Sequence, residues 1–320
     1  MKIEVQYNKE MYLDPLVTSI TWSGDSKQAF RKLELQLSNT INGKEPTVII
    51  EKGRLLRFLK DDKELFRGVI FSYSIQSDGN MSITAYDENI YLTKNVDTKK
   101  FTNMTASSII KQLCNDFGIS FGFIEDTGYV FPKLIMRNKT IWDMMNTAIT
   151  ETSKQIGRRF ILISKEGKLQ LIEQKRNVVE WVLQSGYNIL NASYSESIED
   201  LRNQVKVMSA DHEDQPISTI VENQSLMQNY GLMQHIEESN VDHNASQNQQ
   251  LANQLLKDLS KVSEEAEIEA LGNEEVIAGS IIHVSETMTN LSGNYHVSTD
   301  THTFQNKVHR MRLKIDNMNH

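Results

Sequence analysis

Alternation of apolar and polar residues at a period of two opens this chain and returns to close it, while a helical period appears in the middle and once more in an insert within the last third. That arrangement constrains the fold more than any other feature of the sequence. Ile3, Val5 and Tyr7 alternate with polar residues, and so do Leu33, Leu35 and Leu37. Such a strand turns one row to a core and the other to water, as a half-buried antiparallel sheet requires. Val48-Ile49-Ile50 is a short apolar run ended by Gly53, and residues 56–71 read as two strands around a polar turn at Asp61–Glu64. Tyr73 and Ile75 should face Met81 and Ile83 across Ser77-Asp78-Gly79-Asn80. Asp-Gly between alternating strands predicts a type I′ turn, with positive φ at both central residues.

The period changes near residue 99. Thr105 is placed to cap a helix carrying Ile109, Ile110, Leu113, Cys114 and Phe117, with Gly118 just beyond its end. Thr140, with Asp143 three residues on, predicts a second cap. The apolar stripe behind it is Ile141, Met144, Met145, Ala148, Ile149, Thr152 and Ile156, and Gly157 ends the helix. A hairpin turning at Glu166-Gly167 follows. Residues 99–190 therefore read as a small α/β domain between a β-domain over 1–98 and another over 191–320. In the last third, residues 201–209 read as a strand. A helix then interrupts the strands within 241–264, with Leu251, Leu255, Leu259 and Val262 on one stripe. Gly68 and Gly293 each begin a strand that leads to a hairpin and an alternating return strand. This shared plan suggests two copies of one β-domain.

Composition excludes several functions. The 320-residue chain carries a formal net charge of −8, which disfavours nucleic-acid binding through phosphate neutralisation. A lone cysteine, Cys114, allows no intramolecular disulfide and suits folding in a reducing cytoplasm. Neither a signal-peptide core nor a membrane-length apolar run is present, so release by lysis would fit a protein that acts outside the cell. Glycine-rich phosphate loops, a GxSxG elbow and HExxH are all missing.

The remaining candidates each have an ordinary reading. Cys114 lies on an apolar helical stripe, where cysteine is a small hydrophobe. His283, His296, His302 and His309 lack tight metal-ligand spacing and read as structural histidines. Asp211-His212-Glu213-Asp214, with Pro216 nearby, lacks the spacing of a calcium loop and reads as a solvated turn. Glu265, Glu267 and Glu269 form a carboxylate row on a strand whose other face carries Ala266, Ile268 and Ala270. Same-face strand neighbours stand roughly 7 Å apart, a spacing that inverting glycosidases use. The row reads as a solvated face, a channel lining or, in a hydrolase, a catalytic pair including Glu267. A carbohydrate-binding surface would need clustered aromatics, whereas Trp22, Trp142 and Trp181 are scattered.

The closing segment has a further property. Gly272, Ala278-Gly279, Gly293-Asn294-Tyr295-His296-Val297 and His302 fall in an order that resembles the end of phage hub proteins. Residues 104–119 and 139–173 resemble the two-helix insert of the same family and its hairpin. The family is the XkdQ/YqbQ type of PBSX-like defective phages and tailocins. It is related to late-control D hub proteins and to the N-terminal part of type VI secretion spike proteins. The resemblance covers nearly the whole chain and implies an α+β, mainly β fold. Two tube-like antiparallel barrels are linked by the α/β domain, and the inserted helix packs toward that domain. Three copies would form a ring of pseudo-six-fold symmetry, matching a hexameric tail tube to a trimeric spike. The implied partners are the tail tube protein, the central spike, the tape measure protein and LysM-domain or wedge baseplate proteins. The implied place is the tail baseplate of a virion or tailocin, with no enzymatic activity, cofactor or metal. Because the sequence stops at His320, the spike and any muralytic activity are expected on other polypeptides. Glu265, Glu267 and Glu269 would then line an acidic lumen.

Overall fold

The computed structural model describes residues 1–8, 11–209, 218–239 and 245–318. The opening strands are β1 (Ile3–Tyr7), β2 (Met11–Tyr12), β3 (Val17–Asp25), β4 (Lys32–Ser38), β5 (Leu55–Lys60), β6 (Lys63–Ile75) and β7 (Asn80–Tyr86). The middle holds α1 (Ile90–Lys94), β8 (Val96–Thr105), α2 (Ala106–Asp116), β9 (Phe121–Ile124), β10 (Val130–Thr140), α3 (Ile141–Ile156), β11 (Phe160–Lys165) and β12 (Lys168–Glu173). Next come β13 (Val178–Gln184), β14 (Ile189–Ser197), β15 (Gln204–Ser209), β16 (Ser218–Glu222), α4 (Gln224–Tyr230), β17 (Gln234–Ser239) and α5 (Ala245–Leu259). The chain closes with β18 (Ser263–Leu271), β19 (Ile281–Ser285), β20 (Ser292–Gln305) and β21 (Val308–Asn317). The fold is mainly β, as expected.

The chain divides into two compact units, Met1–Ser193 with Glu267–His320, and Tyr194–Ala266. The first contains residues from all three expected segments. In the second, β15 lies between β16 and β17, and α5 packs on β15 and β16. The core there is Val205, Val207 and Ala252, with Leu251, Leu255 and Leu259 packed half-buried beside it, while Val262, read onto the same stripe, lies beyond the end of α5. The cluster Asp211-His212-Glu213-Asp214, Pro216 and the first residues of the expected 241–264 helix lie outside the described residues.

In the first unit the strand order carries the main finding. Among the described residues, thirteen strands join in one sheet, with the path β14-β18-β21-β20-β3-β4-β7-β6-β5-β1-β2, and β19 pairs both β13 and β20. The path contains the same arrangement twice. In the opening part it runs β3-β4-β7-β6-β5-β1, and in the closing part β14-β18-β21-β20-β19-β13. Strands at matching places also occur in the same chain order. The repeat was legible only as a plan in the sequence. One difference separates the copies: β1 runs antiparallel to β5, while β13 runs parallel to β19. The copies are joined directly, because β20 pairs β3 from Thr299↔Asp25 to Phe304↔Ile20. The core of the opening strands includes Phe304 of β20 and Ile277 of the segment between β18 and β19.

Local expectations held where chemistry is local. The side chain of Thr105 accepts from Ser108 N and that of Thr140 from Asp143 N, so both helices start where their caps predict. Gly157, in the left-handed region, ends α3. The helical stripes build the middle core with Phe101, Leu169 and Leu171, but Ile156 is exposed at the end of α3. The apolar run Val48-Ile49-Ile50 lies outside the strands, with Val48 and Ile50 buried and Ile49 77% exposed. Two other readings change. At the β6–β7 turn only Gly79 has positive φ, and Gly79 N donates to Gln76 O. It is therefore a turn closed by one left-handed glycine; the type I′ pattern belongs to Asp61-Asp62, Glu166-Gly167 and Asn306-Lys307, where both φ are positive. Gly68 lies inside β6, where a Cβ would stand 2.2 Å from Tyr86 O.

Candidate functional site: a carboxylate row and a buried polar junction

The carboxylate row forms as its parity requires. On β18, Ala266, Ile268 and Ala270 are buried, Glu265 is exposed and Glu267 and Glu269 are half-buried. Arg312 Nε stands 3.2 Å from Glu267 Oε1, and Arg310 Nη1 stands 3.9 Å from Glu269 Oε1. Both arginines come from β21, which neighbours β18 in the sheet. Glu267 and Glu269 thus each face a cation on a polar sheet surface. General-acid work needs an apolar pocket that favours the protonated form, and this surface supplies none.

A second cluster, formed at the junction of β20 and β3, was not foreseen. Arg31 and Asp300, 269 residues apart, form a buried bidentate ion pair, with Arg31 Nη1 donating to Asp300 Oδ1 at 2.8 Å and Nη2 to Oδ2. Ala278 N donates to the same Oδ1 at 2.6 Å, and the guanidinium lies 4.0 Å above the Trp22 ring. Pairing, hydrogen bonds and aromatic contact together offset the cost of burying two charges. Arg31 N also donates to Asp87 Oδ2, which accepts from Ser164 Oγ as well. Burial pushes the Asp87 carboxyl up to about 6. A signal for this cluster exists in the sequence: Asp300 occupies a core-facing place between Val297 and His302, where the strand otherwise turns apolar or aromatic residues inward.

The four histidines divide. His283 Nδ1 lies 2.9 Å from Asn294 Oδ1, and burial lowers His296 below its usual value. His302 and His309 meet, with His302 Nδ1 2.9 Å from His309 Nε2 and His302 Nε2 2.9 Å from Val276 O. A carbonyl only accepts, so Nε2 of His302 carries the proton, and its Nδ1 accepts from His309 Nε2–H. Both rings are held neutral: burial pushes His302 down to about 4 and His309 down to about 3. They bond to each other rather than converge on a common point. Among the described residues no group of three or more His, Cys, Asp or Glu is placed to hold a metal. Cys114 is fully buried and its thiol is pushed up to about 12, which makes it a core residue.

The chain has relatives. The PBSX protein XkdQ of Bacillus subtilis is 31% identical over 306 residues, covering 95% of this chain and 93% of that protein. The 43 kDa tail protein of prophage MuSo2 from Shewanella oneidensis has a TM-score of 0.72 at 14% identity, covering 99% of this chain and 98% of its own. Escherichia coli c3393, a type VI secretion component, has a TM-score of 0.56 at 10% identity, covering 98% of this chain and 76% of its own. These two structures share the fold. A family profile described as YQBQ-like matches residues 20–316, and with it the chain belongs to the YQBQ-like family.

Proposed function

We propose that the protein is the structural hub of a contractile-tail baseplate, a ring that adapts the hexameric tail tube to the trimeric spike. The observation that carries this reading is the repeated strand order, with the two copies joined edge to edge by the β20–β3 ladder. Two like modules per chain and three chains per ring present six similar faces on one side while keeping three-fold symmetry on the other. Adaptation is then a matter of shape, with no bond made or broken. In this reading residues 1–98 and 191–320 supply the tube-forming modules and residues 99–190 the domain between them. The partners are further copies of this chain, the tail tube protein, the central spike, the tape measure protein and LysM-domain or wedge baseplate proteins. The setting is a virion or tailocin particle assembled in the bacterial cytoplasm. Glu265, Glu267 and Glu269 line the lumen, where carboxylates repel DNA in transit.

The geometry does not favour a hydrolase, since Glu267 and Glu269 face Arg312 and Arg310. The test is the mass of the purified chain in solution together with negative-stain imaging. A mass of three chains and an annulus with a central hole are expected. A monomer at every concentration, or a compact oligomer without a hole, sinks the reading.

A further inference from the structure

The ladder that joins the two repeats within the chain shows what a second, empty edge is built to receive. β20 is long: Ile281–Ser285 of β19 covers one flank as far as His296, and β3 takes the rest of that flank from Thr299 to Phe304. β6 is built the same way. β5 covers one flank as far as Val69, and Ile70 bonds to Gly53 and Arg54. Beyond that point no strand among the described residues pairs Phe71–Ile75 on this flank, while β7 keeps the other.

The correspondence extends to single residues. Each strand has an irregularity before its free or shared flank, between Ile70 and Ser72 in β6 and between Val297 and Thr299 in β20. Aligning them puts Tyr73, opposite Ile83, in the place of Asp300, opposite Leu313. Ile75, opposite Met81, takes the place of His302, opposite Met311. In an antiparallel pair, alternate residues bond to the neighbour on either side. Gln76 N donates to Asn80 O, so Ser74 and Ser82 form the next bonded pair. The N–H and C=O of Tyr73 and Ile75 therefore turn to the empty flank, as those of Asp300 and His302 turn to β3. Side-chain burial agrees. Asp300 and His302 are 1% and 0% exposed inside their junction, whereas Tyr73 and Ile75 are 43% and 47% exposed.

The partner edge is present too. The counterpart of β3 in the second repeat is β14, which stands at the end of the strand path with β18 as its neighbour. Among the described residues, each chain thus carries both halves of one more junction and leaves them open. We propose that Phe71–Ile75 of one copy takes β14 of a second copy, antiparallel, around Ile189–Ser193, so that the contact between chains repeats the β20–β3 contact within the chain. Backbone pairing supplies the bonds and Tyr73 and Ile75 supply the apolar cover. A head-to-tail contact of this kind closes into a ring. This rests on the hub reading and adds the strands that make it.

Cysteine pairs test it. Ser74, Asn191 and Ser193 are exposed, and the native Cys114 is buried. The double variants Ser74→Cys/Asn191→Cys and Ser74→Cys/Ser193→Cys are oxidised and run on a denaturing gel, with the single variants as controls. At least one pair is expected to give thiol-reversible dimers and trimers absent from the controls. Adding Ile75→Pro removes a donor from the open flank and spares the Ser74–Ser82 pair, so it should cut the linked fraction about tenfold. If the wild-type protein assembles but neither pair links, the strand assignment is overturned and the hub reading stands. If the protein is a monomer at every concentration, both fall.

Discussion

The two β-repeats share a strand order but differ at the one place where they are compared residue by residue. In the closing repeat, the hairpin β20–β21 puts Asp300 and His302 into a buried junction with β3. In the opening repeat, the hairpin β6–β7 puts Tyr73 and Ile75 at matching places in the open. A polar pair stands where the neighbour is part of the same chain and always present. Apolar and aromatic side chains stand where the edge is open. A buried ion pair stabilises only when its partner is held in place by the fold, because an unpaired buried charge is costly. An apolar edge tolerates exposure until something covers it.

Substitutions that exchange or weaken the two sides sharpen this contrast. Asp300→Ala leaves the Arg31 guanidinium buried without its counter-charge and should cost about 3–5 kcal/mol in urea unfolding. Tyr73→Ala, at the matching place, should change the stability of the isolated chain by no more than about 0.5 kcal/mol. Equal losses would break the comparison. Ile83→Ala and Leu313→Ala face these residues across their hairpins and are fully buried, so each should cost about 2–5 kcal/mol. Here the repeats should behave alike, and a loss confined to one would argue that only that copy has a packed interior.

The pH dependence should come from the closing repeat. His302 and His309 are pushed down to about 4 and about 3, below an unfolded value of 6.5. The unfolded state then binds two more protons as pH falls below 6.5, so their contribution is present above that pH and lost on acidification. Asp87 works the other way: raised to about 6 from 3.8, it binds a proton in the folded state first across that window. The net difference is about one proton, or ~1.4 kcal/mol per pH unit between pH 6 and 4. Stability measured against pH in wild type and His302→Gln/His309→Gln should show the slope reversing sign in the variant, where Asp87 alone remains. A modest effect is expected at the turns. Lys307, with φ 63, holds a left-handed place in the second hairpin that Gly79 holds in the first. Lys307→Gly should raise stability by about 1 kcal/mol in thermal unfolding.

Much of the fold could be read in advance where neighbours in sequence are neighbours in space. The Thr105 and Thr140 caps, the α3 stripe from Ile141 to Thr152, the facing of Tyr73 with Ile83 and the inward Ala266-Ile268-Ala270 row are all set within a few residues. The turn at Asp78-Gly79 was misjudged because the Asp-Gly pair also suits a longer loop, where one glycine carries the positive φ. Of the candidate site, the carboxylate row was legible as a row, but the arginines opposite it were not, since they belong to another strand.

Periodicity, caps and turns, all properties of contiguous residues, established by themselves that this chain makes strands, then helices, then strands, and where α2 and α3 begin. Which strands lie side by side was decided only by tertiary structure. The β20–β3 ladder, the Arg31–Asp300 pair and the His302–His309 bond join residues distant in sequence or placed by that ladder. Antiparallel pairing has no sequence-local code for its partner: the backbone bonds are the same for every pair, and only the packing of the whole core selects among them.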